Sequence, residues 1–237
     1  MKRDWTNTRR RRTGFAGSEM LPDVEPGITL LRTPEPRSTV LHRLALQTTR
    51  RVDGTAFWLD ARNTASTYAL HDLAADRRLL RRIRLARAFT AYQHFTLAER
   101  LVNTVTPRTG CVVLPNAPSL YRDDDVPRHE AESLFDAAVA ALSEVAAVYD
   151  FPVLVTDAGP VDALAERVAA AADATYRAES TDLGFRVVGE DFETTVYWDE
   201  TGWQTTIPYW LECCGRVSET LRAERESPVT AETLGGV

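Results

Sequence analysis

The stretch Leu31 to Leu41, LRTPEPRSTVL, sets Arg37 and Ser38 between an apolar run, EPGITL, and a segment of helical character, HRLALQTT. A cation and a hydroxyl at a strand-to-helix junction are the groups a phosphate site uses, the first for terminal phosphates and the second for Mg²⁺. Such a site also needs glycines, so that successive backbone N–H groups turn inward and cradle the phosphates. Here the turn is Pro34, Glu35 and Pro36. Proline fixes φ at about −65° and has no N–H to offer. Glu35 adds negative charge where a phosphate would lie, and no glycine occurs between Gly27 and Gly54. Asp60 closes the next apolar run, GTAFWLD, where a carboxylate could hold a metal. Arg37 and Ser38 with Asp60 are therefore what an atypical NTPase could draw on.

These residues depend on the elements that carry them. From Gly27 onward strand and helix patterns alternate. GITLL reads as a strand, Thr39 to Arg50 as a helix, GTAFWLD as a second strand, and TYALHDLAADRRLLRR as one helix. IRLARAF is a third strand, AYQHFTLAERLVNTV a helix, and TGCVVLPNA a fourth, buried strand. Glu130 to Tyr149 follows as a long alanine-rich helix, then FPVLVTDAG as a fifth strand. Short apolar strands separated by helices predict a mostly parallel sheet covered on both faces. The last third changes character: TYRAES and GFRVVGEDFETTVYWDETGWQTTIPYW alternate as antiparallel strands do, and WDETGW is a hairpin turn with Gly202 set for positive φ. The expected division is a flexible basic tail over 1–12, a single domain over 13–217, and a polar, disordered tail over 218–237.

Composition narrows the classes. An apolar fraction of 44% in 237 residues supports an ordinary buried core. No run approaches the roughly 18 apolar residues of a membrane span, and MKRDWTNTRRRRTG lacks the apolar segment of a secretory signal, so the expected location is the cytoplasm, with no membrane partner. Cys111, Cys213 and Cys214 form neither a disulfide framework nor metal-binding spacing, and the four histidines are dispersed, so no metal is expected. Residues 1–108 carry 20 Lys+Arg against 10 Asp+Glu, and residues 109–237 carry 8 against 24. Any nucleic-acid contact therefore belongs to the basic N-terminal half. Of the 28 basic residues 27 are arginine, which in an acidic protein also fits a high-salt cytoplasm and a GC-rich genome.

Several strings taken together resemble the RecA-like core of the archaeal RadA/RadB recombinases and their eukaryotic counterparts, with a start similar to that of KaiC-like ATPases. They are TGFAGSEML with EPGITLL at the opening, GTAFWLDARNT at the second strand, IRLARAFTAYQH at the third, SLYRDDDVPRHE after the fourth, and FPVLVTDAG at the fifth, in order over roughly residues 13–178. The resemblance implies an α/β, RecA-like P-loop-NTPase-type three-layer fold with a mostly parallel central sheet, helices on both faces and a C-terminal antiparallel β extension.

The same resemblance shows a site that has lost its parts. The Walker A pattern puts Leu31 and Pro36 at the glycine positions, Arg37 at the lysine and Ser38 at the hydroxyl. Pro115, with Asn116 beside it, stands where the family has its Mg²⁺-side aspartate, and Arg62 where it has the water-activating glutamate. Asp157 and Ala158 replace the Asn-Gln pair that senses the terminal phosphate. Cradle, metal, base and sensor are all replaced, so no cofactor is expected and ATP and Mg²⁺ binding is disfavoured.

For DNA, the first family loop keeps Arg122 and Arg128, preceded in the latter case by Asp123, Asp124 and Asp125, and the second loop has contracted to GPVDALAE. A filament on DNA is not expected. Weak, salt-sensitive contact through Arg9, Arg10, Arg11 and Arg12 and through Arg77, Arg78, Arg81, Arg82 and Arg84 remains an alternative, against the plainer reading of a solvated helix face. Phe15 imitates the family's Phe-x-x-Ala hook, although an anchor for the first helix is the preferred reading. Trp58, Trp198, Trp203 and Trp210 read as packing residues, with Trp203 the one placed to meet a partner. The expectation is thus a catalytically inactive RecA/RadA-like paralogue acting by protein contact in DNA recombination or repair, its partner a RadA-type recombinase or another repair protein. The alternatives are the atypical NTPase and a nucleic-acid-binding module of the basic half.

Overall fold

A computed structural model of the chain describes residues 21–74, 76–198 and 203–205, with backbone alone for 198 and 203–205. The basic tail with Arg9 to Arg12, Phe15, Gly202 and the expected C-terminal tail lie outside the described residues, and of Trp203 only the backbone is described.

Strand β1 (Gly27–Arg32) leads into helix α1 (Thr39–Arg51), whose apolar positions Val40, Leu41, Leu44 and Ala45 form one buried stripe. Ser38 starts the helix: the Val40 N–H donates to its Oγ at 3.2 Å, as a serine N-cap should. Strand β2 (Thr55–Ala61) follows, then the segment expected as one helix, which is two. Helix α2 (Thr67–Leu73) stops at Ala74, and a four-residue turn, α3 (Arg77–Leu80), restarts after Asp76. The cause is Asp76, whose carboxylate takes the Arg78 N–H at 2.8 Å; aspartate favours a cap over a helix interior. Strand β3 (Ile83–Ala88), helix α4 (Ala91–Val102) and strand β4 (Thr109–Leu114) come next.

Beyond β4, which ends at Leu114 and not at Ala117 as the run TGCVVLPNA suggested, Asn116 adopts a left-handed conformation (φ 51°) and Ala117–Arg122 form a 3-10 helix. The 22-residue α5 (Arg128–Tyr149), strand β5 (Pro152–Asp157) and helix α6 (Ala163–Ala171) complete the alternating part. Strands β6 (Ala174–Thr181), β7 (Gly184–Val188), β8 (Glu193–Trp198) and β9 (Trp203–Thr205) form the extension.

All of these strands join one nine-stranded sheet in the order β3-β2-β4-β5-β1-β6-β7-β8-β9. The pairings from β3 to β6 are parallel, and those from β6 to β9 are antiparallel. The expected mostly parallel α/β sheet with an antiparallel extension is thus present. Two cores flank it. Helices α1 to α3 pack together on one face over Leu31, Leu44, Trp58 and Val113, and α4 to α6 on the other over Leu30, Leu59, Phe135 and Leu142. Every residue of β4 and β5 is buried, which is why these strands read as unbroken apolar runs.

This topology makes a crevice. The chain leaves β1 toward the α1 face and leaves the adjacent β5 toward the α6 face, so the loops at their carboxyl ends part. Open α/β sheets hold ligands at such a switch point.

Candidate functional site

The crevice is ringed by the turns after β1, β2, β4 and β5. After β1, the Thr33 N–H donates to Asp157 O at 3.1 Å, while Pro34 to Arg37 stand exposed. Leu31, which the resemblance sets at a glycine position, is fully buried in the core between β1 and α1. Pro36 offers no N–H, and the Ser38 hydroxyl is spent on its own helix. His42 fixes the turn from behind. Its Nε2 accepts the Ser66 N–H at 2.9 Å, so Nδ1 carries the proton and donates to Ser38 O at 2.8 Å. Burial holds the His42 pKa below the usual histidine value, so the ring is a neutral strut between the starts of α1 and α2.

Asp60 has no exposed surface and both of its oxygens are taken. Oδ1 accepts the Ala65 N–H at 2.9 Å and Oδ2 accepts Arg87 Nε–H at 3.2 Å. The carboxylate shapes the loop after β2 and pairs the edge strand to it. Arg62, left-handed at φ 56°, reaches across to Ser119 O at 3.3 Å and to Asp123.

Behind them, Pro115 O accepts the Ala61 N–H at 3.4 Å. Asn116 ties the β4 and β5 ends together: its N–H donates to Thr156 Oγ1 at 2.8 Å, and its Oδ1 accepts the Ala158 N–H at 3.4 Å.

The centre of the crevice belongs to Arg122, at the end of the 3-10 helix. Its Nη1 and Nη2 donate to the two oxygens of Asp157 at 2.8 and 2.9 Å, and its Nε and Nη2 donate to Asp162 at 2.7 and 3.1 Å. The Asp157 side chain is 1% exposed and that of Arg122 16%. Paired forks of this kind are the strong form of a salt bridge. The Arg122 hydrogen bonds hold the Asp162 carboxyl below the ordinary aspartate value, and Asp162 also caps α6 through the Ala165 N–H at 2.9 Å. Gly159 makes room, since a Cβ there would overlap the guanidinium. Two carboxylates thus engage the Nε, Nη1 and Nη2 donors of Arg122, and an anion placed beside it would meet negative charge. Among the described residues no group of three or more His, Cys, Asp and Glu could hold a metal ion, and no helix is long and apolar enough to cross a membrane.

The residues singled out in the sequence therefore divide. Pro36, Arg37, Ser38, Pro115, Asn116, Asp157 and Ala158 lie at the carboxyl ends of β1, β4 and β5, with Asp60 and Arg62 on the β2 side, whereas Leu31 belongs to the core. Arg37 alone of the two NTPase candidates in the turn points to no described partner; Asp60 is committed to structure. Arg122 is turned inward, whereas Arg128 is a surface residue paired with Glu132 at 3.0 Å. Arg77, Arg78 and Arg81 are exposed on α3 and its end. Arg82 is tied to the loop before β2 through Gly54 O at 2.8 Å and Asp53 at 3.3 Å.

Reading the sequence missed Asp162, Gly159, His42 and the inward role of Arg122. Asp162 had a signal, as an aspartate directly before a helical run. Beside the crevice lies a cavity of about 590 Å³ lined by Arg122, Asp124, Arg128, Glu132 and Asp162 among others, in which acidic and basic groups mostly satisfy one another. Beneath it, buried His94 meets the Tyr121 hydroxyl at 2.9 Å.

No family model matches the chain, and no curated protein matches it.

Proposed function

We propose that the chain is a RecA-like domain retained as a scaffold after its nucleotide site was dismantled, acting as an accessory protein in DNA recombination or repair through contact with a recombinase of the same cell. The observation that carries this reading is the Arg122 network. A guanidinium held by Asp157 and Asp162 lies where the loops of β1 and β5 part, and the β1–α1 turn that should cradle phosphates contains two residues without an N–H. The mostly parallel sheet with helices on both faces and the order of the five resembling strings support the RecA-like part. The recombination part rests on that resemblance alone, and a cytoplasmic location goes with it. Two experiments test the reading. Titration of the pure chain with ATP and Mg²⁺ should give no turnover. An equilibrium binding measurement against the purified recombinase of the same cell should give a saturable complex, and its absence would remove the partner claim.

One observation favours a second reading. Arg77, Arg78, Arg81 and Arg84 are exposed along α3 and the edge strand β3, with no side-chain partner among the described residues. Nucleic-acid contact there would weaken steeply across a salt series in an electrophoretic shift, and a shift insensitive to salt would exclude it.

A further inference from the structure

The polar side of the antiparallel extension gathers three arginines in one recess. Strand alternation puts Tyr176 and Ala178 of β6 against the α1-side core and sends Thr175, Arg177 and Glu179 to the other face. Together with Arg186 of β7 and Arg32 of β1, they line a cavity of about 400 Å³. Its lining holds three guanidinium groups against one carboxylate.

The arrangement has a cost in the empty protein. Arg32 and Arg177 are register partners on the β1–β6 ladder, so two cations stand side by side on strands about 4.8 Å apart. Like charges opposed on a sheet destabilise it. Arg32 is steadied by α6, Nη2 donating to Ala165 O at 3.3 Å. Arg186 is steadied by Glu179 at 3.3 Å and Glu193 at 2.8 Å. Arg177 is exposed and has no side-chain partner among the described residues. A pair of adjacent cations, one of them unsatisfied, at the wall of a cavity of ligand size is the complement of a doubly charged oxyanion.

We propose that this recess binds a small anion of the pyrophosphate class, one phosphoryl group to each of Arg32 and Arg177, with Arg186 closing the third side. Guanidinium forks supply here the N–H donors that the β1–α1 turn lacks. The site borders the Arg122 crevice, since Arg32 is the register partner of Asp157, but it faces β6 and β7 and does not depend on the scaffold reading.

The test is a calorimetric titration of the full chain with inorganic pyrophosphate, without Mg²⁺ and at fixed ionic strength. Saturable binding at one site is expected, weakened about tenfold or more by Arg177→Ala and unchanged by Arg78→Ala or Arg37→Ala. Thermal unfolding adds a readout that a structural role would not give: without ligand Arg177→Ala should melt no lower than the natural chain, because it removes the opposed charge. A parallel titration with ADP identifies the source: Arg177-dependent binding of ADP makes the ligand a nucleotide, and binding of pyrophosphate alone makes it the free anion. No saturable binding of pyrophosphate, equal binding by Arg177→Ala, or an equal loss of melting temperature with and without ligand would each overturn the site.

Discussion

Arg122 answers for most of what the crevice is. Removing a partner from a buried pair leaves an uncompensated charge, here Asp157, at a cost of about 3–5 kcal/mol. Arg122→Ala should therefore lower the unfolding free energy by that order in a denaturant titration. Gly159→Ala should lower it too, by displacing the guanidinium, and the two changes should be strongly non-additive because they break the same network. His94 sets a second residue-scale expectation. Burial lowers its pKa from 6.5 to about 4, so between those values the unfolded chain binds more protons than the folded one. The stability tied to neutral His94 is then fully present above pH 6.5 and falls as pH drops toward 4, by about 3 kcal/mol. His42 acts in the same direction. Below that range Asp162, whose folded pKa is depressed, adds a further loss as it protonates. Urea unfolding across pH 4 to 8 should show this slope, and His94→Gln should flatten it even though it is less stable throughout.

At the scale of elements, what was legible followed the backbone's own chemistry. Of the six strands joined in parallel, β1, β4 and β5 were visible because burial on both faces makes nearly continuous apolar runs, and the missing cradle was visible because two prolines and no glycine forbid it whatever the surroundings. The break between α2 and α3 depended on one capping carboxylate inside an otherwise helical pattern. The 3-10 helix Ala117–Arg122 depended on a left-handed Asn116 held by Thr156 and Ala158, contacts some forty residues away in sequence. No local pattern announces such a pairing, and for the same reason Arg122 read as a surface cation. Two substitutions test the elements. Ser38→Ala should cost about 1 kcal/mol, the ordinary value of an N-cap, since the hydroxyl caps α1. Gly54→Ala should be far worse, because its Cβ would stand 2.6 Å from Arg108 O and closer still to the Gly110 backbone, and backbone cannot swing aside as a side chain can.

Over the whole molecule the sequence divides into a basic first half and an acidic second half, and folding brings the two together at the crevice. Arg62 from the first half meets Asp123 from the second, while Arg122 stays among the carboxylates of its own half. A sheet that parts its loops at β1 and β5 has the topology of a ligand-binding fold, but the cation at that place is paired with the chain's own carboxylates. That substitution of an internal ion pair for a bound anion is the central claim. It is tested most directly by measuring ATP binding and phosphate release by the pure protein with Mg²⁺, alongside Arg37→Ala and Arg177→Ala. The account predicts no phosphate release above buffer and no binding that depends on Arg37. Mg²⁺-dependent ATP binding in the micromolar range that Arg37→Ala abolishes and Arg177→Ala preserves would contradict it.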